Sequence, residues 1–181
     1  MPVGEVNSVG GGYFEVDGQK MNLTSMYNAV MLANMDALEG VQADYLTSIN
    51  DATKQMEAMT QMLEEARKRK ANKSKTNDDN AQGSTFKLDA YPDAGSKNFT
   101  QWMNYLGIEE VDVNPNDKKD EWESEWDMNI ENIKGQLDLV QSRADTDTYK
   151  AKDLQNRRNN NLMEANKQQD QFYQATSRIL Q

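Results

Sequence analysis

The sequence predicts an all-α protein: two long helices in an antiparallel, coiled-coil-like hairpin, with a variable loop and a short helix between them and a flexible N-terminal arm. Three observations carry this. Residues 22–71 and 120–181 contain no proline, which would break a helix interior. Both stretches repeat apolar residues at alternating steps of three and four, the period of a helical seam. Leu, Ile, Val and Phe make up only 30 of 181 residues, with 11 Met partly filling the gap. That share is below the roughly 20% at which a chain begins to lack material for a full core. Such helices are expected to complete their burial against other chains.

Residues 1–21 are glycine-rich, with Gly4, Gly10, Gly11, Gly12 and Gly18. They read as an arm that orders on docking, within which Tyr13–Gly18 has the composition of a short strand and turn. Residues 22–71 form the first helix, capped by Asn22 or Thr24. From Tyr45 its seam runs Tyr45, Ile49, Ala52, Met56, Met59, Leu63 and Ala66. Before Gly40 the apolar face widens through Met31, Leu32 and Met35, more than a two-helix hairpin covers. The basic run Arg67–Lys70, with Lys73 and Lys75, suits the negative end of the helix dipole. It has no interleaved aromatic residues to suggest nucleic acid.

Residues 72–97 read as a mobile loop with Phe86, Leu88 and Tyr91 as tethers. Within 98–119, Asn98 or Thr100 caps a short helix that Gly107 ends, and an extended piece through Ile108, Val111 and Val113 runs to Pro115. Residues 109–127 carry nine acids against Lys118 and Lys119. Residues 120–181 form the second helix. Its heptad positions are Ile130, Ile133, Leu137, Val140, Ala144, Asp147, Ala151, Leu154, Arg158, Asn161, Ala165, Gln168, Phe172, Ala175 and Ile179. Two readings of its C-terminal half stand. Either the polar positions Asp147, Arg158, Asn161 and Gln168 stay on the seam and specify register, or the seam drifts so that Leu162, Met163, Tyr173 and Leu180 take over the core.

The chain has no cysteine and no histidine, and 30 acidic residues against 20 basic ones give a net charge of −10. Disulfides, thiolate chemistry, Cys/His zinc sites and imidazole bases are therefore excluded. The alternating acids of Asp120–Asp127 suit a solvated helix start rather than paired carboxylates in a pocket, so no enzyme is expected. Asp145-Thr146-Asp147 and Asn114–Asp117 lack the glycine and distal glutamate of a calcium loop, and Gly10–Gly12 lacks a following Lys-Ser/Thr. No cofactor, metal, nucleic acid or small-molecule substrate is expected. The most apolar stretch, Met26–Leu38, is interrupted by Asn28, Asn34 and Asp36 and is too short to span a bilayer. The N-terminal residues lack the basic and apolar regions of a cleavable signal peptide. They fit either a cytoplasmic protein or one exported without cleavage.

Three stretches carry a resemblance: Ser25–Glu65, beginning SMYNAVMLANMDAL; Phe99–Val113, FTQWMNYLGIEEVDV; and Asn129–Asp145, NIENIKGQLDLVQSRAD. In this order they resemble the EspA/SseB-type translocator filament subunits of bacterial type III secretion systems. The segment Asp153–Ile179, with Leu154-Gln155, is also similar to the last helix of type III needle-tip proteins. Asn28, Asn34 and Asp36 make the first helix more polar than is usual in the family, and residues 72–121 are too few for the globular insert of a tip protein.

The resemblance implies a protein secreted with an uncleaved export signal and held outside the bacterial surface. It implies a helical homopolymer standing on the secretion needle, a conduit for effectors. Its partners would be itself, the needle, a dedicated cytosolic chaperone and the translocon pore proteins. The absence of cysteine suits passage through a narrow channel as unfolded chain. The seams supply the expected assembly residues: Met31, Leu38, Val41, Tyr45, Ile49, Met56, Met59 and Leu63 on the first helix, and Ile130, Ile133, Leu137, Val140, Leu154, Phe172 and Ile179 on the second. The alternative function is a needle-tip protein or a soluble coiled-coil adaptor or chaperone.

Overall fold

The computed structural model describes residues 6–10, 13–16, 19–72, 83–114 and 116–179. Among them are strands β1 (Val6–Gly10), β2 (Tyr13–Val16) and β3 (Gln19–Asn22), and helices α1 (Leu23–Asn72), α2 (Phe99–Tyr105) and α3 (Lys119–Ile179). The protein is mostly helical and its two long helices pack together. The chain divides into two compact units: a central one, Ser48–Thr146, and a terminal one, Met1–Thr47 with Asp147–Gln181.

The N-terminal stretch corrects the all-α expectation. Its described residues form an antiparallel meander in the order β1-β2-β3. Val6 pairs with Val16 and Phe14 with Met21, and the register shifts between Ser8 and Gly10. The central strand, Tyr13-Phe14-Glu15-Val16, is rich in aromatic and β-branched residues, which favour a pleated backbone. Three strands also give that strand a partner on each side, which a lone hairpin lacks.

In the central unit the helical seams meet as their spacing predicts. Met59, Met62 and Ala66 of α1 and Trp122, Trp126, Ile130, Ile133 and Val140 of α3 are buried in one cluster. A two-helix seam is too narrow to cover the indoles, and the connecting segment supplies the missing wall. Leu88, Phe99, Trp102, Met103, Ile108 and Val113 join the same cluster. Phe99 stands edge-on to Trp126 at 4.9 Å, and Trp122 to Trp126 at 6.1 Å. Such pairs add about 0.5–1.5 kcal/mol each beyond the area they bury. The Trp126 indole nitrogen is buried and finds no hydrogen-bond partner among the described residues, a cost of about 1–3 kcal/mol.

Local chemistry positions that wall. Asn98 and Gln101 form a reciprocal capping box at the start of α2: the Gln101 backbone N–H donates to Asn98 Oδ1 (2.8 Å), and the Asn98 N–H to Gln101 Oε1 (3.0 Å). The helix ends at Leu106, and Gly107 takes the left-handed conformation (φ 68°) that favours glycine, as its place in the sequence predicts. Beyond it, buried Asn129 of α3 holds the extended piece as a neighbouring strand would. Its Oδ1 accepts from the Val111 N–H (2.8 Å) and its Nδ2 donates to the Val111 carbonyl (2.7 Å).

Within the 72–97 stretch, Asn72 ends α1 and residues 83–97 are tied to the core. Phe86 and Lys97 exchange backbone hydrogen bonds of 2.9 and 3.1 Å. The Trp102 indole donates to the Phe86 carbonyl at 2.9 Å, and Leu88 is fully buried. All three expected tethers hold, since Phe86 and Tyr91 pack half-buried against the core. Residues 73–82 lie outside the described residues.

Arg69 differs from the expected dipole-facing cation. It is buried; its Nε donates to Glu65 (2.8 Å) and its Nη2 to the Ser84 carbonyl (2.9 Å). Its guanidinium lies over the rings of Phe86 (5.3 Å) and Phe99 (5.7 Å). The planar cation thus ties the end of α1 to the returning segment by hydrogen bonds and stacking together. Arg69→Ala is expected to destabilise the central unit by about 2 kcal/mol, because it removes a buried side chain that packs on two rings and leaves the part-buried Glu65 and the Ser84 carbonyl without this donor. All three tryptophans lie in this unit, so urea unfolding followed by tryptophan fluorescence reads the loss. An unchanged midpoint would refute the clamp.

Candidate functional site

The expected assembly residues separate into those the chain buries and those it leaves uncovered. Met59, Leu63, Ile130, Ile133 and Val140 are at most 8% exposed, inside the core of the central unit. Met56 and Leu137 pack half-buried against that core, and Ile49 is half-buried too. This part of the seam is used within the chain and offers no surface to a second copy. The sequence treats residues 83–113 as a connection, whereas they form the third wall that covers it.

In the terminal unit Met31, Leu38, Tyr45 and Leu154 are half-buried. Val41 and Phe172 are 45% and 47% exposed. The side chain of Ile179 lies outside the described residues. The unit's helices touch through polar groups. Arg158 pairs with Glu39 at 3.0 Å, and the Lys150 ammonium sits 5.4 Å from the Tyr45 ring centre. Ala151 and Asp147 are buried, Arg158, Asn161 and Ala165 half-buried, and Gln168 exposed. The strict heptad therefore holds as far as Ala165. The drifting alternative fails for Leu162, Met163 and Tyr173, which are 46%, 70% and 63% exposed, while Leu180 lies outside the described residues.

An uncovered apolar surface results. Leu32 (60% exposed) and Leu46 on α1, with Tyr149, Leu162, Met163 and Tyr173 on α3, bury little against the terminal unit. Single exposed apolar residues are ordinary, and large ones recurring along two helices are the kind that interaction surfaces use. The sequence signal for Leu32, Leu46, Leu162 and Met163 is their place off the seam, on faces a helix normally leaves polar. A cleft of about 560 Å³ within this unit is lined by Asn34, Ala37, Leu38, Val41, Arg157, Asn160 and Asn161. The lining combines apolar Ala37, Leu38 and Val41 with three amides and Arg157, whose Nε pairs with Asp153 (2.9 Å).

The central unit has a cleft of about 550 Å³ among Asp51, Lys54, Gln55, Tyr91, Asp93 and Tyr105. Tyr91 meets Tyr105 edge-on at 5.3 Å. Burial, Tyr105 and Asp51 push the Tyr91 hydroxyl above its ordinary value, so it remains a neutral donor. Among the described residues no group of three acidic side chains gathers to hold a metal ion. None of the helices is long and apolar enough to cross a membrane. Comparison of the chain with known protein families, with curated proteins and with solved structures gives no match.

Acids crowd the start of α3 and the segment before it. Burial raises the Glu110 carboxyl above the ordinary 4.5; the hydrogen bond from Thr100 Oγ1 (2.7 Å) opposes the rise and Asp112 adds to it. Burial also raises Glu125, opposed by the Asn114 backbone N–H and reinforced by Asp117 and Asp112. A raised folded-state value means that the folded protein takes up protons more readily than the unfolded chain. The associated stability is present in full below 4.5 and is lost as pH rises through the folded values. Glu110→Gln is therefore expected to raise the urea midpoint of the central unit at pH 7, with the gain shrinking as pH approaches 4.5. A variant less stable than wild type at pH 7 would show the Thr100 bond, not burial, to dominate.

Proposed function

We propose that this chain is a self-assembling structural subunit whose long helices form an antiparallel hairpin. Support for the direction comes from the terminal unit. Position 39 of α1 meets 158 of α3, and position 45 meets 150, so one helix ascends where the other descends. The observation that carries the assembly reading is the apolar surface of the terminal unit, with Leu32 60%, Leu46 55%, Met163 70% and Tyr173 63% exposed. A second copy offers the same surface in return. If the contact is between different patches on successive copies, it does not close and propagates as a filament.

The resemblance makes the proposal concrete. The filament would be an extracellular type III conduit for effectors, secreted with its N-terminus uncleaved and mounted on the secretion needle. A cytosolic chaperone would cover the apolar residues before export, and the translocon pore proteins would lie at the far end. The role is structural rather than catalytic. A chain whose stability is completed by its neighbours gains it by mass action as copies add.

Electron microscopy of the purified protein over a concentration series tests this, and uniform hollow filaments are expected. Leu162→Asp combined with Met163→Asp should raise the concentration needed for assembly about a hundredfold or more, since each side chain contributes about 1.5–3 kcal/mol when buried. Tryptophan fluorescence, confined to the central unit, should stay unchanged in that variant. Discrete particles at every concentration would overturn the filament in favour of a needle-tip or adaptor protein.

A further inference from the structure

Met128, Asn132, Gly135, Leu139, Ser142 and Thr146 follow one another along α3, within the central unit, at steps of four, three, four, three and four. This is the spacing of a coiled-coil seam. It is offset from the buried seam of Ile130 and Ile133, and it contains no charge. Met128 and Leu139 are 53% and 66% exposed, and Gly135, Ser142 and Thr146 are exposed as well. Asn132, at the border, gives one N–H to the Glu109 carbonyl (3.0 Å).

Gly135 is the second observation. A Cβ placed there would meet nothing within 4 Å, so nothing in the unit calls for glycine at this place. Glycine nevertheless weakens a helix interior relative to alanine. A bare backbone on the outer face is useful to a helix approaching from outside. The charges flanking the seam identify that helix. Placing Asn132, Leu139 and Thr146 at a positions puts Glu131, Asp138 and Asp145 at g, and Gln136 and Arg143 at e. In two parallel copies in register, g faces the e position five residues further along the partner, which sets Asp138 against Arg143 and Glu131 against Gln136. An antiparallel pair would instead set the acidic edge against itself. Asp138 and Arg143 are both exposed, and neither forms an ion pair with another described residue. Asn132 would face its own copy at an a position, the placement that fixes register in parallel dimers.

We infer that α3 carries a second seam, Met128–Thr146, through which two copies of this chain pair in parallel and in register. This contact is separate from the apolar surface of the terminal unit and does not depend on the filament reading.

The chain has no cysteine, so Ser142→Cys introduces a unique thiol. Parallel pairing brings that position next to itself, and mild oxidation of the full-length protein should give a disulfide-linked dimer. Glu57→Cys, at an exposed place on α1, sets the rate for random collision. Ser142→Cys should cross-link at least about tenfold faster than Glu57→Cys. Adding Asp138→Arg should slow it by about tenfold, and adding Arg143→Asp as well should restore it, because the pair is rebuilt with reversed charges. Equal rates for Ser142→Cys and Glu57→Cys would overturn the pairing, as would a rate indifferent to Asp138→Arg. Faster cross-linking between Asn132→Cys and Ser142→Cys chains than between two Ser142→Cys chains would make the pair antiparallel and overturn the inference equally.

Discussion

Three indoles and a phenylalanine must be buried where two helices alone make only a narrow seam. Trp102, Trp122, Trp126 and Phe99 are all less than 3% exposed, and no two-helix contact encloses side chains of that size. The connecting segment is therefore part of the core rather than a tether between helices. Its folding depends on a few polar anchors: Asn129 on the Val111 backbone, Trp102 on the Phe86 carbonyl, and Arg69 on Ser84. Each gives a backbone group of the connecting segment a partner on a buried side chain, which is why a segment with so few aliphatic residues stays in place.

The terminal unit has no such wall among its described residues, and the seam of α3 fades accordingly. Ala144, Asp147 and Ala151 are buried, Leu154 to Ala165 only half-buried, and Gln168 and Phe172 exposed. Polar residues sit on the seam where burial weakens, and Arg158 reaches Glu39 across it at the edge of solvent. An ion pair so exposed adds little stability, about 0–1 kcal/mol. Its geometry fixes register more than it holds the helices together.

Both long helices were legible from the sequence to within a residue or two, because proline-free heptads leave little choice of period. The α2 cap and the Gly107 stop were legible for the same reason: each depends on one or two residues with a single stereochemical use. Less legible was everything that rests on a tertiary partner. Arg69 sits in a basic run like its neighbours, and nothing local distinguishes it from Lys68, which is solvated. Asn129 is one of many asparagines in the chain. The meander was half visible in Tyr13–Val16 and obscured by surrounding glycines. Among the assembly residues, the heptad rule placed Met59, Leu63, Ile130, Ile133 and Val140 on the seam correctly. It could not tell that a third wall from the same chain, rather than a second copy, would cover them.

Under the proposed self-assembly, charge favours the terminal unit for the contact that propagates. The chain carries −10 overall, and like charge opposes association unless the contacting faces are spared it. Nine acids fall within 109–127, in the central unit, against Lys118 and Lys119. Residues 147–178, which hold the exposed Leu162, Met163, Phe172 and Tyr173, carry six basic residues and four acidic ones. Residues 23–47 of α1, with exposed Leu32 and Leu46, carry Asp36, Glu39 and Asp44 and no base. The two stretches are thus of opposite sign, and within one copy they meet through Arg158 and Glu39; under the proposed self-assembly the α1 stretch of one copy would also attract the α3 stretch of the next. In that proposal, attraction between unlike stretches rather than identical ones would favour a head-to-tail contact, and a head-to-tail contact that does not close is the kind that propagates.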